Sequence, residues 1–258
     1  METGNEEQPY GKCADLGAFY ALISAVEARK PSSVSHNRNV STYAVALAEA
    51  IGLSPDQVGI VGVAALLHDI GNIGIPNGVL MKKDKLIEEE WKVIRAHPEL
   101  GAKIIKDGLE VTPSDFGPMA MQPDPKSRAK IITDAGEPKL NDESWNAFQT
   151  DSELWAPIFR NTKAGRVNLA YCADVILHHH ERWDGGGYPR GLKGEQIPIE
   201  ARVITIAESF DAMAIGRPYR PAFSIKDTVG ELKKCAGSQF DPKLVDVFVG
   251  MIEARPRK

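Results

Sequence analysis

The spacing of its apolar residues is the feature that most limits the fold of this 258-residue chain. Apolar side chains recur at intervals of three and four residues over 16–29, 40–51 and 201–213. No segment alternates apolar and polar residues over the length of a strand. Because a helix that buries one face shows the first pattern and a half-buried strand shows the second, the sequence predicts an all-α fold.

Residues typical of helix ends divide this pattern into separate helices. Ser54 followed by Pro55 is a cap and a first-turn proline, and it predicts a helix that runs to residue 67 and ends near Gly71. Residues 88–96 and 99–106 are two further predicted helices. Similar signals mark the remaining boundaries: Pro98 between those two helices, Ser224 with Asp227 in a pattern resembling a capping box, and Asp241 with Pro242 before the last helix.

Residues 107–163 differ from the rest of the chain. They contain six prolines, many acidic and amide residues and little periodicity. We interpret them as a long irregular insertion, with one helix near 142–148, inside a domain that spans 16–258 after a polar N-terminal segment, 1–15. Loops of this length act as lids, contact surfaces or disordered segments, and the sequence leaves these three roles open.

Composition excludes several classes of partner. Hydrophobic residues make up 43% and charged residues 26% of the chain, and the net charge is −4, so neither DNA nor RNA is an expected partner. The longest apolar stretches, 58–67 and 203–207, are shorter than the roughly 20 residues of a membrane span, so no membrane is expected. Three isolated cysteines indicate a reducing compartment, and we expect a cytoplasmic protein.

The histidines are concentrated in a way that indicates a metal site. Residues 178–189 read HHHERWDGGGYP and hold half of the six histidines, beside two carboxylates and a glycine turn. His68 and Asp69 end an apolar stretch. Imidazoles and carboxylates together suit iron, manganese or zinc. The segment therefore predicts a metal site followed by a ligand-binding lip, in which Gly187 allows close approach of the backbone and Tyr188 stacks or donates a hydrogen bond.

Taken together and in order, these motifs resemble the HD-GYP family, bacterial metal-dependent phosphodiesterases of the HD superfamily that act on cyclic di-GMP. The resemblance implies an HD-superfamily helical bundle that hydrolyses cyclic di-GMP to pGpG, with continuation to GMP left open. It covers residues 36 to about 253 apart from the insertion. The motifs that carry it are His36, His68-Asp69, His97, His179-His180-Glu181, DGGGYP at 184–189 and RPYR at 217–220.

The resemblance also implies a set of metal ligands and catalytic groups. Asp69 is the natural bridge between two ions, because the adjacent His68 can turn to a neighbouring ion. Glu208 stands where the family normally has Asp, and Asp211 would hold a ligand or a water in place. Ser32 replaces a glutamate that recruits a third ion in some members, so we expect two divalent ions, iron or manganese. The implied ligands are His36, His68, Asp69, His97, His179, His180 and Glu208.

Two departures from the family pattern concern the substrate phosphate. Asn72 replaces a lysine, so it can donate a hydrogen bond but brings no positive charge to catalysis, and Asn39 replaces an arginine. Arg217 and Arg220 remain as the expected phosphate-binding residues, since a guanidinium fork matches a phosphate.

These departures, and the range of phosphate esters that the broader HD superfamily handles, keep other functions open. One alternative is a cyclic-dinucleotide-binding or protein-docking module with weakened chemistry, and another is a phosphohydrolase for a different nucleotide, which the GYP segment disfavours. A diguanylate cyclase or a sensor protein as partner, and a homodimer, are further expectations that the sequence does not decide.

Overall fold

The computed structural model of the protein describes residues 36–110, 167–214 and 222–254. Several sequence-based predictions fall outside these residues. They are the helix over 16–29, the N-terminal segment 1–15, most of the insertion with its helix near 142–148, and the two arginines Arg217 and Arg220.

The described part of the chain is helical, as the apolar spacing predicts. It contains no strand, and an isolated bridge joins Ala236 to Phe240. Short 3-10 helices cover Ile70–Gly74 and Gly194–Gln196. The α-helices are α1 (His36–Ala50), α2 (Pro55–Leu67), α3 (Asn77–Leu80), α4 (Glu88–Ile94), α5 (His97–Glu110), α6 (Leu169–His178), α7 (Ile199–Ala214), α8 (Ile225–Cys235) and α9 (Pro242–Glu253).

Helix α2 lies at the centre of the domain, and every residue from Val58 to Leu67 is buried. Its start confirms the predicted cap: the Ser54 hydroxyl accepts from the Gln57 amide at 3.4 Å, and the Gln57 side chain accepts from the Ser54 amide at 3.2 Å. The segment Pro55–Gly74 is long and apolar enough to cross a membrane, but 72% of its apolar 18-residue window is buried inside the domain. Its apolar character is therefore that of a core helix.

Helices α1, α6 and α7 contact α2 and contribute buried residues to the core, whereas α3 and α4 have no buried residue. Helix α1 contacts α2 and α7, and α6 contacts α2 and α5. The buried residues of α1 follow the helical period, with Val40, Ala44 and Leu47 completely covered. The predicted starts of α8 and α9 are also confirmed, because Ser224 and Asp241 accept hydrogen bonds from first-turn amides.

One helix boundary differs from the sequence-based prediction, and one helix was not predicted. Helix α5 begins at His97 and runs to Glu110, so Pro98 lies in its first turn instead of separating it from α4. A proline fits there because the first amides of a helix have no acceptor within the helix. Helix α6 was not predicted. It begins after Asn168, whose side chain accepts from the Tyr171 amide at 3.1 Å.

Candidate metal centre

The His68-Asp69 pair lies where α2 ends and the 3-10 turn Ile70–Gly74 begins. This turn packs against the start of α5, which places Asp69 beside His97. Gly71 makes the packing feasible: a Cβ at this position would lie 1.9 Å from the His97 carbonyl oxygen. The glycine after the His-Asp pair thus lets two histidine-bearing segments approach closely.

Six of the residues expected as ligands lie in two compact groups. His97, His179 and His180 form one, and His36, His68 and Asp69 form the other; within each group the ligand atoms lie within 4.8 Å of one another. Helix α6 delivers His179 and His180 at its C-terminal end, while His36 is the first residue of α1. Helix ends from distant parts of the sequence therefore meet at one place.

Asp69 lies between the two groups. Its Oδ1 is 3.6 Å from Nε2 of His97, and its Oδ2 is 3.8 Å from Nε2 of His68. The two oxygens of one carboxylate thus approach one imidazole from each group. This geometry suits a carboxylate shared by two cations.

Three histidines are held with the same ring nitrogen facing the cluster. Nδ1 of His68, His97 and His179 lies 2.7, 2.9 and 2.6 Å from the carbonyl oxygen three residues earlier. A carbonyl oxygen only accepts hydrogen bonds, so each Nδ1 carries the proton, and Nε2 of the neutral ring carries the lone pair. All three rings are buried.

The Nε2 atoms of these three rings are suited to bind a cation and are not suited to hydrogen-bond with each other. Nε2 of His68 is buried and has no hydrogen-bond partner, which is costly for a polar atom. Nε2 of His97 and Nε2 of His179 face each other at 3.3 Å, although both rings use their proton at Nδ1. Divalent ions bound to these lone pairs, one in each group, would satisfy all three atoms.

Burial keeps the inner imidazoles neutral. Burial, with smaller contributions from neighbouring histidines, lowers the pKa of His180 to about 3 and holds the pKa of His179 well below its usual value. A neutral imidazole is the form that binds a metal.

His36 is the exception to this trend, because it faces carboxylates. Burial alone would lower the pKa of His36, but the hydrogen bond to Asp211 and the charges of Glu208 and Asp69 outweigh burial and raise it. The Asp211 carboxylate lies 2.6 Å from Nδ1 of His36 and is buried. It thereby occupies the position of an outer carboxylate that fixes the orientation of a ligating imidazole.

The remaining expected residues lie around the two groups. Glu208 belongs to neither compact group, although its charge acts on His36 and His179. Asn72 lies in the 3-10 turn and is 9% exposed, and Asn39 lies half-buried on α1. His178 donates from Nδ1 to the Asp174 carbonyl at 2.7 Å and lies in neither group.

The GYP segment lies beside the cluster. The Tyr188 ring stacks on His180 with a centroid distance of 4.9 Å and an interplanar angle of 28°. Burial, followed by the charge of Glu208, raises the pKa of the Tyr188 hydroxyl, so this group stays protonated. Gly187 packs against its own chain: a Cβ there would lie 2.3 Å from the Arg182 amide nitrogen.

Glu181 holds this segment in place, a role that sequence reasoning did not assign. Its side chain is 2% exposed, and its two carboxylate oxygens accept from the amides of Arg190 at 2.7 Å and Leu192 at 3.0 Å. The Tyr188 amide donates to the His180 carbonyl at 3.2 Å. The signal that could have revealed the role is an acidic residue just before a glycine turn, whose free amides need acceptors.

Comparisons with known proteins agree with this site. Residues 34–133 and residues 137–244 match two family models that both describe an HD domain. The cyclic di-GMP phosphodiesterase response regulator RpfG of Xanthomonas campestris is 31% identical over 228 residues, which are 88% of this chain and 46% of that protein. The chain belongs to the HD-GYP family.

Other similar proteins carry a different substrate in their names. The 3'3'-cGAMP-specific phosphodiesterase 2 of Vibrio cholerae is 28% identical over 230 residues, covering 89% of this chain and 33% of that protein. A solved Vibrio cholerae phosphodiesterase described as specific for cyclic GMP-AMP has the same fold, with a TM-score of 0.54 and 16% identity over 92% of this chain and 48% of its own. The chain spans less than half the length of each of these proteins.

Proposed function

We propose that this HD-GYP domain is a metal-dependent phosphodiesterase that hydrolyses cyclic di-GMP to pGpG. The observation that carries the proposal is the convergence of buried Nε2 atoms from three helix ends around one carboxylate. The likeness to a cyclic di-GMP phosphodiesterase supports the choice of substrate.

We infer a centre for two divalent first-row ions, iron or manganese. His97, His179 and His180 would hold one ion, His36 and His68 the other, and Asp69 would bind both. Glu208 would complete the set from α7. Ions at these positions would polarise the phosphodiester and make water nucleophilic near neutral pH.

The protein's own groups prepare this centre. The backbone carbonyls that accept from Nδ1 of His68, His97 and His179 keep the protons on the outer side of each ring. The Asp211 carboxylate likewise accepts from Nδ1 of His36 and holds that proton on the outer side of the ring. The rings of His68, His97 and His179 therefore need neither to reorient nor to lose a proton before they bind a metal, which favours a preorganised site.

The lip would orient the substrate. Tyr188 keeps its proton and lies against His180, so its hydroxyl is available as a hydrogen-bond donor. Asn72 also lies near the cluster but carries no charge. We therefore expect weaker stabilisation of charge in the transition state than a lysine at this position would give.

The test is turnover by metal-replete protein. Protein stripped with a chelator and reloaded with iron or manganese should convert cyclic di-GMP to pGpG, measured by chromatography. Asp69→Ala should abolish turnover, whereas Asp246→Ala, which removes an exposed carboxylate on α9, should leave it unchanged. Absence of hydrolysis with every first-row ion would refute the proposal.

Two other outcomes would reassign the function. Faster turnover of 3'3'-cGAMP than of cyclic di-GMP would move this domain to the substrate named for its Vibrio cholerae relative. Tight binding of cyclic di-GMP in calorimetry without any turnover would make the domain a binding module, and Asn72→Lys would then be expected to restore hydrolysis.

A further inference from the structure

A row of aromatic rings leads from the histidine cluster to the surface, and an arginine lies at its outer end. The His180 ring lies 4.9 Å from His97 and 4.9 Å from Tyr188, measured between centroids. The Arg95 guanidinium then lies 5.9 Å from the Tyr188 ring and 5.8 Å from the Trp91 ring. Each distance to a ring is within the range of a cation–π contact.

The Arg95 backbone is held at a helix end, and its side chain is accessible. It caps the C-terminal end of α4 at a tight junction, two residues before His97, and its amide donates to the Trp91 carbonyl. Its side chain is 49% exposed, and the Glu88 carboxylate lies 3.8 Å away with 63% of its side chain exposed. Exposed ion pairs of this kind contribute little to the free energy of folding, so a phosphate can take the place of the Glu88 carboxylate.

We propose that Arg95 is a substrate-binding residue that contacts the phosphate of the cyclic dinucleotide that is not being cleaved. The inference rests on the proposed function of the histidine cluster. Trp91 acts as a positioning residue, because its ring holds the guanidinium at the lip.

Geometry and chemistry together favour the distal phosphate. Tyr188 contacts both His180 and Arg95, so the guanidinium lies about one ring away from the cluster where cleavage would occur. A cyclic dinucleotide has two phosphodiesters, and the one that is not at the cluster still needs a counter-charge. A guanidinium offers parallel N–H donors to phosphate oxygens.

Sequence reasoning did not find this residue because an exposed arginine at a helix end carries no signal of its own. The expected phosphate ligands were Arg217 and Arg220, which lie outside the described residues. Arg95 supplies a cation near the cluster, where Asn72 brings none.

The experiment compares two substrates in metal-replete, full-length protein. Arg95→Gln is expected to lower kcat/KM for cyclic di-GMP by about 10- to 100-fold, the range for loss of a hydrogen bond to a charged group. Most of the loss should appear in KM, because the contact exists in both the bound and the transition state. Hydrolysis of bis(p-nitrophenyl) phosphate, which has a single phosphodiester and no second phosphate, should be unchanged.

Three controls keep this result specific. Lys233→Gln removes an exposed positive charge on α8 and should leave both substrates unaffected. Metal content and thermal stability of Arg95→Gln should match the parent, since the residue is exposed. Trp91→Ala should raise KM for cyclic di-GMP by about three- to tenfold, the effect of losing one cation–π contact, and Trp91→Phe should restore most of it.

The outcomes separate this inference from the proposed function. An equal loss on both substrates, or no loss on cyclic di-GMP, would overturn the role of Arg95. If the parent protein hydrolyses only bis(p-nitrophenyl) phosphate, the substrate assignment fails instead. In that case calorimetry with cyclic di-GMP decides about Arg95: a Kd that rises at least tenfold in Arg95→Gln supports it, and an unchanged Kd overturns it.

Discussion

Gly71→Ala is the substitution for which the structure makes the sharpest prediction. The new methyl group would lie 1.9 Å from the His97 carbonyl oxygen and 2.6 Å from the Gly101 amide nitrogen. Both are backbone atoms, so no side-chain rotation relieves the overlap. The 3-10 turn and the start of α5 must separate by at least about 1 Å, because real contacts essentially never fall below 3.0 Å.

The same movement would act on stability and on metal binding. Overpacking of a core costs about 1–3 kcal/mol, and overlap with backbone places Gly71→Ala at or above the upper end. The turn that moves begins at Asp69, and the helix that moves begins at His97, two groups now 3.6 Å apart. A displaced supporting contact of this kind weakens metal affinity by about 10- to 100-fold.

Gly108→Ala is the matched control, because it lies in the same helix as His97 and a Cβ there would have no atom within 4 Å. An alanine in an exposed helical position should stabilise the domain by about 0.5–1 kcal/mol. Urea denaturation followed by circular dichroism measures both variants, and titration with manganese measures affinity. If Gly71→Ala is as stable as the parent and binds manganese equally well, the close packing of the turn on α5 is refuted.

Three further predictions concern groups that support the site or the core. Glu181→Gln weakens one of the two charge-assisted hydrogen bonds to the amides of Arg190 and Leu192 and should cost about 1–3 kcal/mol in urea denaturation. Glu99→Gln, at an exposed carboxylate, should cost less than about 1 kcal/mol. Asp211→Asn should weaken the hold on His36 and lower manganese affinity about tenfold or more; unchanged affinity would contradict its role. Burial and a hydrogen bond to the buried Glu200 carboxylate raise the pKa of Tyr171 to about 12. The protonated hydroxyl therefore stabilises the folded protein fully below about pH 10, and this contribution is lost between about pH 10 and 12. Tyr171→Phe should therefore show a shallower alkaline loss of stability.

Features set by neighbouring residues could be predicted from the sequence. The caps at Ser54, Ser224 and Asp241 were assigned correctly because each depends on hydrogen bonds within one helical turn. The all-α class followed from apolar spacing for the same reason. Helix α6 was missed because most of its ten residues are apolar, so few polar positions mark an exposed face.

Features that depend on packing between distant segments could not be predicted this way. The role of Glu181 in holding the loop was not predicted, since its amide partners lie nine and eleven residues later in an irregular segment. Arg95 was overlooked because its neighbour Tyr188 is far away in the sequence. The family likeness supplied the ligand set, and Asp69 was expected as a bridge between two ions. The structure adds the distances from Asp69 to His97 and His68.

His68, His97 and His179 make the same local hydrogen bond, which connects the fold to the chemistry. His68 and His179 cap α2 and α6, and His97 follows the last residue of α4 by three positions. The final carbonyls of a helix have no amide partner within it, and in each case Nδ1–H of the histidine donates to one of them. A helix end therefore satisfies its own carbonyl and, by the same hydrogen bond, directs the Nε2 lone pair away from the helix. The bundle needs only to bring three such ends together to assemble a set of nitrogens placed to bind a metal. This explains why the proposed ligands are scattered along the sequence yet share a single geometry.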